Sequence, residues 1–338
     1  MHLFQKNIFS ENTPQFTRLE SSSQNELAAV INRHYPRLTI REIAVAGAFE
    51  INSNNWKVVT DNGTYLFKRS DLSKLDALTA QSAITADLKA MGIPTLEFVP
   101  DSGGKIICSD GKHAYCLSVF QEGNYFGSSE EQWKELLTHL AALFQSCRTI
   151  DAGNFTGIPV RSFFTSEEDQ LIDFLKTLPE IKQINKEQLA FVIAEHELLA
   201  QKKDPLPAPG IFHVDIHPHN LIFKENRLVL LTDFEAFQLT VPEISLGFGL
   251  YKCMRQLLAV CEESERDSAI RRVQKECETI FSSHTLYGLL QLGKADVIKR
   301  ILHILKELTE TGASRWLFAL EIQLASLYEI NAISRLLK

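Results

Sequence analysis

Residues 211–237, IFHVDIHPHNLIFKENRLVLLTDFEAF, gather His213, Asp215, His217, Asn220, Asp233 and Glu235 between apolar runs. Titratable side chains pinned between strand-like segments are expensive to bury unless they bind or catalyse something. Asn220 precedes the triplet Leu221-Ile222-Phe223, a turn-like Lys224-Glu225-Asn226 follows, and Asp233 lies just past a second apolar run. That pattern predicts a loop feeding a β-hairpin, which brings Asn220 beside Asp233. An amide oxygen and a carboxylate converging there suit a hard cation such as Mg2+, which usually keeps phosphate oxygens as partners. Asp215, one short loop away, is placed to accept a proton from a nucleophilic hydroxyl.

Two other readings compete for the same residues. His213, Asp215 and His217 alternate, as the polar face of a half-exposed strand would. With His219 nearby they also resemble ligands for zinc or iron. A histidine metal site gives no role to Pro218-x-Asn220, the hairpin and Asp233-Phe234, and no second His/Cys/Glu cluster stands at ligand spacing.

The spelling His213-x-Asp215-x-His217-Pro218-x-Asn220, followed by Thr232-Asp233-Phe234-Glu235, resembles the aminoglycoside phosphotransferase and choline kinase superfamily. This is the small-molecule branch of the protein-kinase-like fold, in which an Asp, four residues, an Asn and a later Asp-Phe recur. The resemblance implies an α+β, bilobal architecture. Residues 1–122 would form a small antiparallel-sheet lobe that binds nucleotide, and 123–338 a mostly helical lobe for catalysis and substrate. It implies ATP as donor, Asp215 as catalytic base, and Asn220 and Asp233 as holders of Mg2+. His213 is expected to brace the loop, and His217 either to brace it or to react. Glu235 reads as a second metal or substrate contact, or as the exposed residue after a Phe anchor.

The elements that must position these groups follow from patterning. Ser23-x-x-Glu26 predicts a capping box opening a helix that ends near Tyr35-Pro36. Short β-prone runs at 38–46, 55–60 and 64–70 predict a small antiparallel sheet, the last two joined at Asp61-Asn62-Gly63. On the third run Thr64, Leu66 and Lys68 share one face and Tyr65, Phe67 and Arg69 the other. The resemblance makes Lys68 the phosphate-binding lysine and Leu66 part of the adenine pocket; by itself Lys68 reads as an edge-strand lysine kept in water. The segment 47–55 sits where such folds cover the phosphates, and Ser53 fits the glycine-poor version of that loop. A helix over 73–91, closed by Gly92-Ile93-Pro94, should carry a glutamate that orients the lysine, and Gln81 stands there instead. An amide can hydrogen-bond the lysine but forms no ion pair. The segment 119–123 looks like the hinge, with Val119 and Gln121 presenting backbone groups to adenine. Beyond it the chain reads as helical, and Ser245 replaces a further Asp of the family.

With 45% hydrophobic and 23% charged residues the chain is an ordinary folded protein. A net charge of −7 argues against phosphate-backbone binding and hence against nucleic acid, and suits a cationic acceptor. Six cysteines without a C-x-x-C pair read as reduced and cytoplasmic. Neither a signal peptide nor a membrane-length apolar run is indicated. The primary expectation is a kinase acting on a small-molecule hydroxyl, such as an amino alcohol, sugar or aminoglycoside. A protein kinase of the same fold and a catalytically silent nucleotide-binding module remain the alternatives.

Overall fold

The computed structural model describes residues 4, 13–46, 54–178, 184–201, 206–312 and 316–338. In chain order the elements begin with β1 (Phe16–Arg18), α1 (Ser21–His34), β2 (Ile40–Ala46), β3 (Asn55–Thr60), β4 (Gly63–Asp71) and α2 (Leu75–Ala90). They continue with β5 (Phe98–Val99), β6 (Cys108–Ser109), β7 (His113–Val119), β8 (Asn124–Tyr125), α3 (Glu130–Thr149), α4 (Ser166–Thr177) and α5 (Lys186–Ala200). The rest are β9 (Gly210–His213), β10 (Leu221–Lys224), β11 (Arg227–Leu231), β12 (Phe237–Thr240), α6 (Pro242–Val260), α7 (Arg266–Ile280), α8 (Leu286–Thr311) and α9 (Leu317–Leu336).

Contacts divide the chain into two compact units. One comprises Phe9–Pro159 and Pro218–Gln238. Its sheet runs β1-β2-β3-β4-β7-β5, antiparallel, with β6 also on β7. The alternation on β4 decides what each face does: Phe67 packs with Ile31, Ile43, Trp56 and Leu117 beneath α1, whereas Leu66 and Lys68 line a cavity. The hairpin β10–β11 joins the same unit because β10 pairs with β8. The lobe division expected at 122/123 falls inside this unit.

Helix α1 begins at Ser21, with Glu20 at the N-cap and no side-chain cap, so the capping box expected from Ser23 and Glu26 does not form. The unforeseen edge strand β1 is the reason. It pairs with β2, Leu19 N–H donates to Ile43 O at 3.1 Å, and the chain turns into the helix three residues early, with its N-cap at Glu20 in place of Ser23. At the end of α2, Gly92 takes φ +86° and its N–H donates to Lys89 O, the expected glycine stop.

The other unit comprises Val160–His217 and Leu239–Lys338, with Phe4 attached. It is built on α6 and α8. A Cβ added to Gly247 would lie 1.9 Å from Leu289 O, and one added to Gly293 would lie 2.6 Å from Phe248 N. The two helices therefore cross backbone against backbone, which only glycine permits. Pro242 opens α6, where its missing N–H costs nothing, and Gly312 closes α8 in the left-handed conformation.

Candidate active site

The sheet unit gathers one group of chemical side chains. Pairing of Leu221 with Leu231 sets Asn220 beside Thr232. Thr232 N–H donates to Asn220 O at 2.9 Å and Thr232 Oγ1 to Asn220 Oδ1 at 3.2 Å. Asp233 follows at φ 56°, ψ 57°, the left-handed region that favours glycine. Phe234 is buried against Phe98, so Asp233 and Glu235 flank a fixed anchor.

Lys68 Nζ lies 2.9 Å from Glu235 Oε1 and 3.6 Å from Asp233 Oδ1. Burial pushes the ammonium pKa down, but the two carboxylates outweigh it and hold Lys68 above its ordinary value. Burial pushes the Glu235 carboxyl up; Lys68, the Ser70 hydroxyl at 3.0 Å and Lys74 outweigh that and hold it below the usual range. Glu235 is thus an ion-paired side chain and not a solvated residue after the anchor. Gln81, expected to orient the lysine, is 2% exposed and turns its Nε2 amide to the main chain. It donates to Glu235 O at 2.5 Å and Phe237 O at 2.8 Å.

A cavity of about 330 Å³ within this unit is lined by Leu66, Lys68, Val119, Gln121, Asn220 and Asp233, among others. That volume lies in the range of small-molecule and cofactor sites. Tyr125 and His219, edge-to-face at 4.8 Å, line it too; the sequence marked His219 only as a candidate ligand in the histidine metal reading and did not mark Tyr125. Ser53 lies outside the described residues. The donor set fits Mg2+, since Asp233 offers carboxylate oxygens and Asn220 an amide oxygen, the hard ligands such a cation takes.

The helical unit holds Asp215. Its Oδ1 lies 3.0 Å from Lys252 Nζ and 3.3 Å from Arg300 Nη2, and its Oδ2 lies 3.4 Å from His217 Nε2. Burial pushes this carboxyl up, yet Lys252, His217 and Arg300 together hold it well below the ordinary carboxylate range. His213 is fully buried, and its Nδ1 accepts the Asp215 N–H at 3.3 Å, so the ring proton belongs on Nε2. Arg300 also donates to Val214 O at 3.0 Å and to Asp296 Oδ2 at 2.7 Å; Arg161 reaches the other oxygen of Asp296 at 2.6 Å. Asp296 is wholly buried, which makes its two arginines obligatory partners. The Phe248 ring lies 4.5 Å from Lys252 Nζ and 4.8 Å from the Arg300 guanidinium carbon.

The model of the phosphotransferase enzyme family matches residues 48–259 of this chain. The chain belongs to that family. Solved structures similar to this phosphotransferase include spectinomycin phosphotransferase APH(9)-Ia in complex with ADP and spectinomycin, at 12% identity and TM-score 0.63, covering 92% of this chain and 97% of that one. Amicoumacin kinase hAmiN with AMP-PNP, Ca2+ and Ami is similar at 11% identity and TM-score 0.62, covering 91% and 93%. The GDP complex of aminoglycoside 2'-phosphotransferase-IIIa gives 13% identity and TM-score 0.60, covering 91% and 98%. At such identities these likenesses establish a shared kinase-like fold and no more. No curated protein sequence matches the chain.

Lys252, Arg300, Arg161 and Asp296 escaped sequence reasoning. Lys252, Asp296 and Arg300 sit in helices α6 and α8, where a lone charged residue is indistinguishable from a solvated face, and Arg161 lies in irregular chain ahead of α4. The available signal was a pair of glycines, Gly247 and Gly293, each inside an otherwise apolar helical run.

Proposed function

We propose that this phosphotransferase is an ATP- and Mg2+-dependent kinase that phosphorylates a hydroxyl of a small molecule. The observation that carries the reading is the cavity bearing Lys68, Asn220 and Asp233 together, each with the chemistry that a triphosphate and its cation require. Bound there, Mg2+ would be held by Asn220 and Asp233 and would neutralise charge on the phosphates. Lys68 binds phosphate oxygens, and the backbone at Val119 and Gln121 serves the adenine. Six free cysteines support a reducing, cytoplasmic setting, and among the described residues no helix is long and apolar enough to cross a membrane.

Asp215 orients the acceptor hydroxyl and receives its proton. A carboxylate held this far toward its anion is a weak base, so it accepts the proton late, after the bond to phosphorus has largely formed. That timing suits the loose transition state of phosphoryl transfer. Lys252 and His217 fix the two carboxylate oxygens, and His213 fixes the backbone of the same residue. The charged side chains on Asp215 are cationic, and the nearby Asp296 is already shared by two arginines. A neutral or acidic hydroxyl compound therefore fits this neighbourhood better than the cationic acceptor that the net charge suggested.

Asp215→Asn tests the reading. We expect ATP-dependent phosphorylation of a metabolite mixture to fall by about 10²–10⁴-fold, with nucleotide binding retained. Retained turnover would remove Asp215 as the base, and radiolabel entering protein instead of metabolites would favour a protein acceptor.

A further inference from the structure

Lys68 needs a carboxylate to hold it in line, and α2 offers an amide at the position where a glutamate was expected. Two observations in the sheet unit account for that exchange together. First, the Gln81 amide uses both hydrogens of its Nε2 on the carbonyls of Glu235 and Phe237. A carboxylate in its place would face two carbonyl oxygens and have no proton to give them. Second, these carbonyls belong to the turn that carries Glu235, whose side chain makes the 2.9 Å ion pair with Lys68. Ser70, two residues along β4 from Lys68 and on the same face, donates to the same Glu235 oxygen at 3.0 Å. The carboxylate is thus set from both sides: its backbone by α2, its oxygen by β4.

We propose that Glu235 is the positioning residue for Lys68, replacing the helix glutamate, and that Gln81 acts one step back by clamping the turn that presents it. The contact has a second effect. Asp233 Oδ1 is already 3.6 Å from Lys68 Nζ, and without Glu235 the ammonium would settle on Asp233, away from the phosphates. Glu235 keeps the lysine and the metal-binding carboxylate apart. A role as second metal ligand predicts something different, because it acts only when a divalent cation is present.

The inference rests on the kinase reading, and the experiment separates the two. ATP affinity is measured by calorimetry in EDTA, without divalent cation, for the parent, Lys68→Met, Glu235→Gln and the double variant of the full chain. If Glu235 positions Lys68, Lys68→Met weakens ATP by about tenfold in the parent background. In the Glu235→Gln background it should weaken ATP by less than about twofold, because the lysine has already stopped contributing. An equal loss in both backgrounds overturns the inference. A parent that binds ATP neither in EDTA nor with Mg2+ removes the kinase reading, whereas a Lys68→Met that binds as the parent does removes the lysine's role and the inference with it. If Glu235→Gln fails to fold, the cycle is run with Ser70→Ala, which frees the Glu235 carboxylate and should shrink the Lys68→Met effect; an unchanged effect counts against the inference.

Discussion

At 3.0 Å from Asp215, the Lys252 ammonium is close enough to set the pH at which that carboxylate takes up a proton. Its charge holds the carboxyl down against burial, so Asp215 stays ionised throughout the neutral range. The sign follows directly. A depressed folded-state value makes Asp215 stabilising above the ordinary carboxylate range, and that contribution is lost as pH falls through the depressed value. Lys252→Met removes the largest lowering influence, so the acid limb of the kcat/KM profile should move to higher pH. A pH–rate profile checks this, and an unmoved limb would assign the limb to another group. Asp215, the proposed base, and the proposed metal-binding residues Asn220 and Asp233 could be picked out of the sequence because one short segment holds them all. Lys252 was not, because its meaning comes from a tertiary contact with no local pattern.

Helices α6 and α8 bring those cations in, and their spacing rests on two hydrogen atoms. With Gly247 against Leu289 O, the helix axes come close enough for Lys252, five residues on, and Arg300, seven past Gly293, to reach one carboxylate. Gly247→Ala would force the backbones apart. We expect it to cost on the order of 1–3 kcal/mol in urea denaturation and to lower turnover by more than its stability loss explains. The sheet elements were more readable, since turn residues and period-two alternation are local signals. The capping box fails for the opposite reason: α1 begins where the pairing of β1 with β2, a strand further along the chain at Ile40–Ala46, releases it.

Across the whole chain the cysteines behave as small apolar side chains. Five of the six are buried and all are free. Burial pushes the Cys108 thiol up to about 11 and the Cys116 and Cys253 thiols up to about 12, against an ordinary value of 9.0. Few thiolates exist at neutral pH, and reactivity follows the thiolate. Thiol titration of the native chain at pH 8 should therefore label Cys261 first, with the others reacting only on unfolding. Prompt labelling of several thiols in the folded protein would contradict this burial. Composition led only to an expectation of reduced thiols, whereas the packing distinguishes Cys261 from the rest.

The left-handed conformation of Asp233 bears on which residue the backbone alone would favour there. Glycine would sit at that φ more comfortably than any residue bearing a Cβ. The proposed cation role accounts for a carboxylate at a position where glycine would be the more stable choice. Asp233→Gly should unfold at a temperature no lower than the parent, while Mg2+-dependent nucleotide affinity drops. Finding both in one variant would identify position 233 as a place where this protein keeps a less stable backbone for the sake of a ligand.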